Sequence, residues 1–277
     1  MPSRFLDVAS RSMPRLTARA AAGLMLLPGR LMRVRPTQRS VMDAAQRSTL
    51  VVGRHRMAVY RWGTGERRIL LVHGWNGRSA QFADLIARLS GAATVVAFDA
   101  PGHGETRGVT ADIGMWIEAI RALDAAYGFD VIVGHSFGGL AARRARGAGL
   151  VRGSVVSISA PPSTDAVMQA YAAQVGLPDG VTSAVSERLA RRLGPVMAAI
   201  AMSPDAGAAA ADAAILIVHD RDDRMVPAAA APAIAAMWPG PSRILLTAGR
   251  GHNGILAAPE VLDAVASVAL PAPVPAA

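Results

Sequence analysis

Apolar residues fall in two registers along this chain. Short continuous runs occur at residues 69–73, 94–98, 131–133, 155–159, 215–219 and 243–247. Such runs are what strands buried on both faces of a parallel sheet require. Between them, apolar residues recur at helical spacing. Phe82, Leu85, Ile86 and Leu89 share one face over 79–89, and Ile113, Trp116, Ile117 and Ile120 share another over 112–127. The same spacing predicts helices over 228–237 and 259–269. Two further runs, 48–52 and 56–62, are separated by Gly53-Arg54-His55 and predict a β-hairpin. Strand and helix then alternate, which calls for a mostly parallel sheet with right-handed crossovers and helices on both faces.

The alternation stops at 163–211. Helical segments are expected over 164–175, 181–193 and 195–202, and no strand candidate lies between them. This stretch reads as a small helical cap inserted into an α/β core of residues 46–162 and 212–270. Met168, Met197 and Met202 fall in it and are expected to line a deformable apolar pocket. Residues 271–277 form a Pro/Ala tail, expected to fray. The first 45 residues stand apart. Leu16, Ala20, Leu24, Leu27 and Leu31 follow helical spacing, with Arg15, Arg19, Arg30 and Arg33 around them, and Pro28-Gly29 interrupts the run. Three readings fit: an amphipathic helix docked on its own protein, a membrane-surface anchor, or a targeting peptide. The apolar stretch 20–27 is too short to span a bilayer, and no clean small-residue cleavage site follows it.

Composition narrows the chemistry. The chain is 52% apolar and 18% charged, enough for a full core, but only 4% aromatic. Cysteine is absent, which excludes disulfides, thiol catalysis and cysteine-ligated metal. Residues 1–56 hold eleven arginines against Asp7 and Asp43, whereas the rest of the chain is balanced, so the net charge of +9 belongs to the leading segment. There is no basic stripe interleaved with aromatics, so no nucleic-acid partner is expected. The expected location is the cytoplasm, with peripheral membrane contact through residues 1–45 as the alternative for the leader.

The run at 131–133 ends in Gly134-His135-Ser136-Phe137-Gly138, and Ala-rich helical sequence follows. This is G-x-S-x-G with a strand before it and a helix after it. The tight turn should hold Ser136 at strained backbone angles, above the sheet edge and at a helix N-terminus. A serine hydroxyl needs a base, and the base needs a group that fixes its tautomer. Of six histidines, His252 stands in the loop after the last strand, from which a side chain can lean over Ser136. His135 adjoins Ser136 in sequence and should point away from it. The acid should come from the loop after 215–219, where Asp220, Asp222 and Asp223 compete. No metal-ligand spacing such as H-E-x-x-H is present.

Taken together, the blocks resemble those of the α/β-hydrolase superfamily, of the capped serine esterase type, from about residue 47 to residue 270. His73-Gly74-Trp75 resembles its oxyanion turn, Asp99-Ala100-Pro101-Gly102-His103-Gly104 the loop after its fourth strand, and Gly134–Gly138 its nucleophile elbow. Asp223-Arg224-Met225-Val226-Pro227 and Gly251-His252 resemble its acid and base loops. The resemblance selects Asp223, four residues before the proline, as the acid. It implies that the backbone N–H groups of Trp75 and Phe137 form the oxyanion hole. It gives His73, His103 and Asp99 structural roles. The expected function is hydrolysis of a small or medium acyl ester through an acyl-enzyme on Ser136, without cofactor or metal. Thioester, amide or carbon–carbon bond hydrolysis on the same site, or ligand binding without catalysis, are the alternatives.

Overall fold

The computed structural model describes residues 12–29, 31–203 and 207–270. Residues 1–11 of the leader and the tail at 271–277 lie outside them. The strands are β1 (Gln46–Val52), β2 (His55–Trp62), β3 (Arg68–Val72), β4 (Thr94–Phe98), β5 (Val131–His135), β6 (Ser154–Ile158), β7 (Ile215–Asp220) and β8 (Ser242–Thr247). They form one sheet in the order β1-β2-β4-β3-β5-β6-β7-β8. The β1–β2 and β2–β4 pairs are antiparallel, and every later pair is parallel. Most of the continuous apolar runs are central strands: every residue of β4, β5 and β7 is buried, whereas the edge strands β1 and β8 are mostly exposed, so the run at 243–247 is an edge strand and not one buried on both faces. This is the α/β-hydrolase fold.

Helices cover both faces. On one, α4 (Ile113–Tyr127), α5 (Phe137–Gly147) and α9 (Ala230–Met237) enclose a core that includes Trp116, Ile117, Leu140 and Ile234. On the other, α3 (Ala83–Leu89) and α11 (Pro259–Ala269) bury Leu85, Ile86, Val261 and Val265. Helix α4 starts at Asp112, whose carboxylate accepts from the Met115 amide at 3.2 Å, and ends at Gly128 in the left-handed region, φ 66°.

Between β6 and β7 lie α6 (Thr164–Val175), α7 (Asp179–Leu193) and α8 (Pro195–Ala201). Met197 and Met202 are partly buried and pack on the main core. Met168 does not join them. It is buried under the leader, against Ala18, Ala21 and Ala22, so its expected place in the pocket is corrected.

The leader forms α1 (Pro14–Met25), which rests on α6 and α7. Its packed face is not the leucine stripe. Thr17, Ala18, Ala21 and Ala22 face the protein, while Leu16 and Leu24 face outward. Small side chains let the helix axes approach closely. The hydrophobic spacing thus identified a face but not the one that packs. A second leader helix, α2 (Pro36–Asp43), has no apolar periodicity to announce it. It buries Gln38 and Met42 alone.

Candidate active site

Ser136 lies between β5 and α5 with φ 53° and ψ −122°, a conformation that L-residues rarely adopt. The turn survives because its surroundings fix it. The Ser136 amide donates to the Ile158 carbonyl at 2.8 Å, and the Ser136 carbonyl accepts from the Gly139 amide at 3.0 Å. The flanking glycines are a packing requirement. A Cβ on Gly138 would stand 2.2 Å from the Val72 carbonyl oxygen, and one on Gly134 would stand 2.5 Å from the Gly138 oxygen. Neither site admits a side chain.

The turn after β3 comes up against the serine. A Cβ on Gly74 would lie 2.8 Å from Ser136 Cβ and 3.3 Å from its Oγ. The Trp75 N–H is in this turn, and the Phe137 N–H is at the first position of α5, where no intrahelical acceptor precedes it. Among the described residues neither N–H has a protein acceptor. The turn is braced from behind. His73 Nδ1 bonds the Gly74 carbonyl at 2.7 Å and its Nε2 accepts from the Ala100 amide at 3.0 Å. His103 Nε2 accepts from the Asn76 amide at 3.0 Å, and its Nδ1 bonds the Pro101 carbonyl at 2.9 Å. Each ring therefore carries its proton on Nδ1. Burial lowers both pKa values, that of His103 to about 4, with His73 a further cause there. Asp99 is equally structural, accepting from Ser79, Tyr60 and the Glu105 amide.

His252 sits on a four-residue helical turn, α10 (Gly251–Gly254), and not in an open loop as expected. Its Nδ1 meets Asp223 Oδ2 at 2.8 Å. The other oxygen of Asp223 accepts the Met225 and Val226 amides at 2.8 and 2.9 Å. Burial alone would raise the Asp223 pKa. The bonds from His252 and the two amides outweigh it and hold the group near about 2. Asp223 therefore stays ionised, and its bond to Nδ1–H leaves Nε2 of His252 as the acceptor. The ring of His252 lies 4.9 Å from that of His135, the residue before the serine. No hydrogen bond joins Ser136 Oγ to His252 among the described residues.

The three competing carboxylates separate cleanly. Asp222 accepts the Gly249 amide at 2.7 Å. Asp220 is fully buried and builds the turn that carries His252. Its Oδ1 accepts the Asp222 and Gly251 amides at 2.9 and 3.0 Å, and its Oδ2 accepts the Thr247 hydroxyl at 2.6 Å and the Arg250 amide at 3.1 Å. Burial opposes its charge, and these four donors outweigh that and hold its pKa low. Sequence reasoning placed Asp220 only among the competing acids and gave it no loop-building role, since three of its four donors come from residues 27 to 31 positions on. His135 was placed correctly as pointing elsewhere, but it too has a role that was missed. Its Nε2 bonds the His252 carbonyl at 2.8 Å and its Nδ1 meets Gln81 at 3.0 Å. His219, beside Asp223 at 3.6 Å, was likewise unforeseen.

Among the described residues, no group of three or more His, Cys, Asp or Glu is placed to hold a metal ion. No helix among them is long and apolar enough to cross a membrane.

A search of curated proteins finds no significant match. Solved structures share the fold. Alpha/beta hydrolase domain-containing protein 10 from mouse is 15% identical with a TM-score of 0.62, over 80% of this chain and 95% of that one. An esterase from Rhodococcus sp. ECU1013 is 19% identical with a TM-score of 0.57, over 81% and 98%. A membrane phospholipase A described as a bacterial virulence factor is 16% identical with a TM-score of 0.59, over 95% and 94%. A model of the alpha/beta hydrolase family matches residues 69–265, so this chain belongs to that family and is a hydrolase.

Proposed function

We propose that this hydrolase is a serine esterase acting on small or medium acyl esters, with Ser136, His252 and Asp223 as its catalytic residues. The observation that carries the reading is the 2.8 Å bond from His252 Nδ1 to a carboxylate already fixed by two amides, on a loop that touches the residue before Ser136. The acyl group lies against Trp75 and Phe137, whose rings meet edge-on at 5.5 Å. Ser136 Oγ attacks its carbonyl carbon, and Nε2 of His252 takes the hydroxyl proton. The carbonyl oxygen, now negative, receives the Trp75 and Phe137 amides. Each such donor is worth about 2.7–4 kcal/mol in the transition state. The C–O bond breaks as His252 passes its proton to the leaving alcohol. Water, deprotonated by the same nitrogen, then releases the acid and regenerates the serine.

The test is covalent labelling by a fluorophosphonate, together with turnover of p-nitrophenyl esters of graded chain length. Wild-type protein should label and turn over, and Ser136→Ala should do neither. Folded wild-type protein that stays unlabelled overturns the reading. Turnover confined to thioesters or amides would keep the serine and replace the ester.

A further inference from the structure

Helix α1 is built inside out for a helix that only packs on its own protein. Ala18, Ala21 and Ala22 are buried, whereas its two leucines are in water. Leu16 and Leu24 are 58% and 64% exposed, and Met13, Leu27 and Leu31 continue the exposed series. Folding normally places leucine in and alanine out, because each buried leucine contributes about 1.5–3 kcal/mol. At 3.6 residues per turn, Leu16, Ala20 and Leu24 fall within a wedge of about 80°, and Arg15 and Arg19 flank it on one side, between the leucines and the packed face. The packed side is not loose. Tyr171 donates its hydroxyl to the Ala21 carbonyl at 2.8 Å, so the helix is pinned with its leucines outward.

The charge of this segment is of one sign. Residues 12–42 contain no Asp or Glu, while Arg15, Arg19, Arg33, Arg35 and Arg39 are all exposed. The segment that follows α1 is tied to the site. The Leu26 carbonyl accepts from the Ala111 amide at 2.8 Å, the Gly29 amide donates to Asn76 Oδ1 at 2.8 Å, and the Met32 amide donates to the Asn76 carbonyl at 2.9 Å. Asn76 is the neighbour of Trp75.

We propose that the Leu16–Leu24 face of α1, with its arginine flank, docks on the surface of an anionic lipid bilayer. Leucines enter the interface while guanidinium groups meet lipid phosphates, the arrangement of a helix lying in the interface plane. A bilayer fits better than a protein groove because the face is a convex stripe edged by cations, with no acidic residue in the segment to pair them. Docking would hold the turn carrying Trp75 close to the lipid, since Gly29 and Met32 are bonded to that turn.

The test uses the full chain and vesicles, and it does not depend on catalysis. Wild-type protein should co-sediment with phosphatidylglycerol-containing vesicles, less with pure phosphatidylcholine vesicles, and less as salt is raised. Leu16→Gln with Leu24→Gln should lower binding at least about tenfold without moving the unfolding midpoint, because both side chains are exposed. Arg15→Gln with Arg19→Gln should lower it about fivefold per charge and flatten the salt dependence. Wild-type protein that stays in the supernatant, or binding unchanged in both double variants, overturns the proposal. So does a stable dimer that the leucine variant splits, which would assign the face to a second copy of the chain.

Discussion

Asp220 and Asp223 stand three residues apart and use their charges differently. Asp223 spends one oxygen on the His252 ring, whereas Asp220 spends both on the backbone and hydroxyl that shape the loop carrying His252. The two substitutions should therefore separate. Asp223→Asn removes the charge that fixes the Nδ1–H tautomer and should lower kcat about ten-thousandfold. Asp220→Ala leaves that charge in place but frees the Arg250 and Gly251 amides, so the imidazole drifts. A misplacement near 1 Å corresponds to about a hundredfold loss. Steady-state kinetics on a p-nitrophenyl ester should show the loss in kcat with KM little changed. Fluorophosphonate labelling of Asp220→Ala should persist at a reduced rate. Equal effects of the two variants would mean that Asp220 acts on the chemistry directly.

Trp116 is the element-scale counterpart. It comes from α4, yet its indole N–H donates to the His73 carbonyl at 2.9 Å, and its ring stacks on Trp75 at 5.8 Å and meets Phe137 edge-on at 5.2 Å. One helix thus supports both segments that carry the proposed oxyanion donors. Trp116→Phe removes the donor and leaves a buried carbonyl unpaired, at a cost of about 1–3 kcal/mol. Chemical denaturation should show that loss, and kcat should fall further than the loss of folded protein explains. The sequence told part of this. Strands buried on both faces write unbroken apolar runs, so the order of elements was readable, and G-x-S-x-G between a strand and a helix located Ser136. A bond from an indole to a carbonyl forty-three residues away leaves no mark on the spacing. Nor could residue type choose among three aspartates in four positions, because the choice depends on which way the loop turns. Helix α1 shows the same boundary from the other side. Periodicity placed its leucines on one face, but the packed face was decided by how closely the helix could approach Met168 and Val185.

Across the whole molecule, histidine burial sets the response to acid. His73, His103, His135 and His219 all have pKa values lowered chiefly by burial, to about 4 for His103 and about 3 for His135. In the unfolded chain each returns to the ordinary 6.5. Below that pH the unfolded state binds protons that the folded state refuses, so stability is greatest above it and declines as pH falls toward the folded values. Each such group takes away about 1.4 kcal/mol per pH unit while the difference lasts. Asp223 and Asp220 cannot produce this slope, because their lowered values act only below the ordinary carboxylate pKa of 3.8. Asp124, raised by burial, acts weakly the other way near the bottom of the range. The melting temperature should be level from pH 8 to pH 7 and fall steadily from pH 6.5 to pH 4.5. His103→Gln loses the bond to the Asn76 amide and should melt lower at pH 7, yet its decline with acid should be shallower than that of wild type. Parallel curves for the two proteins would remove His103 from the group that governs acid stability. A level wild-type curve down to pH 4.5 would mean that these rings can take protons without leaving the fold.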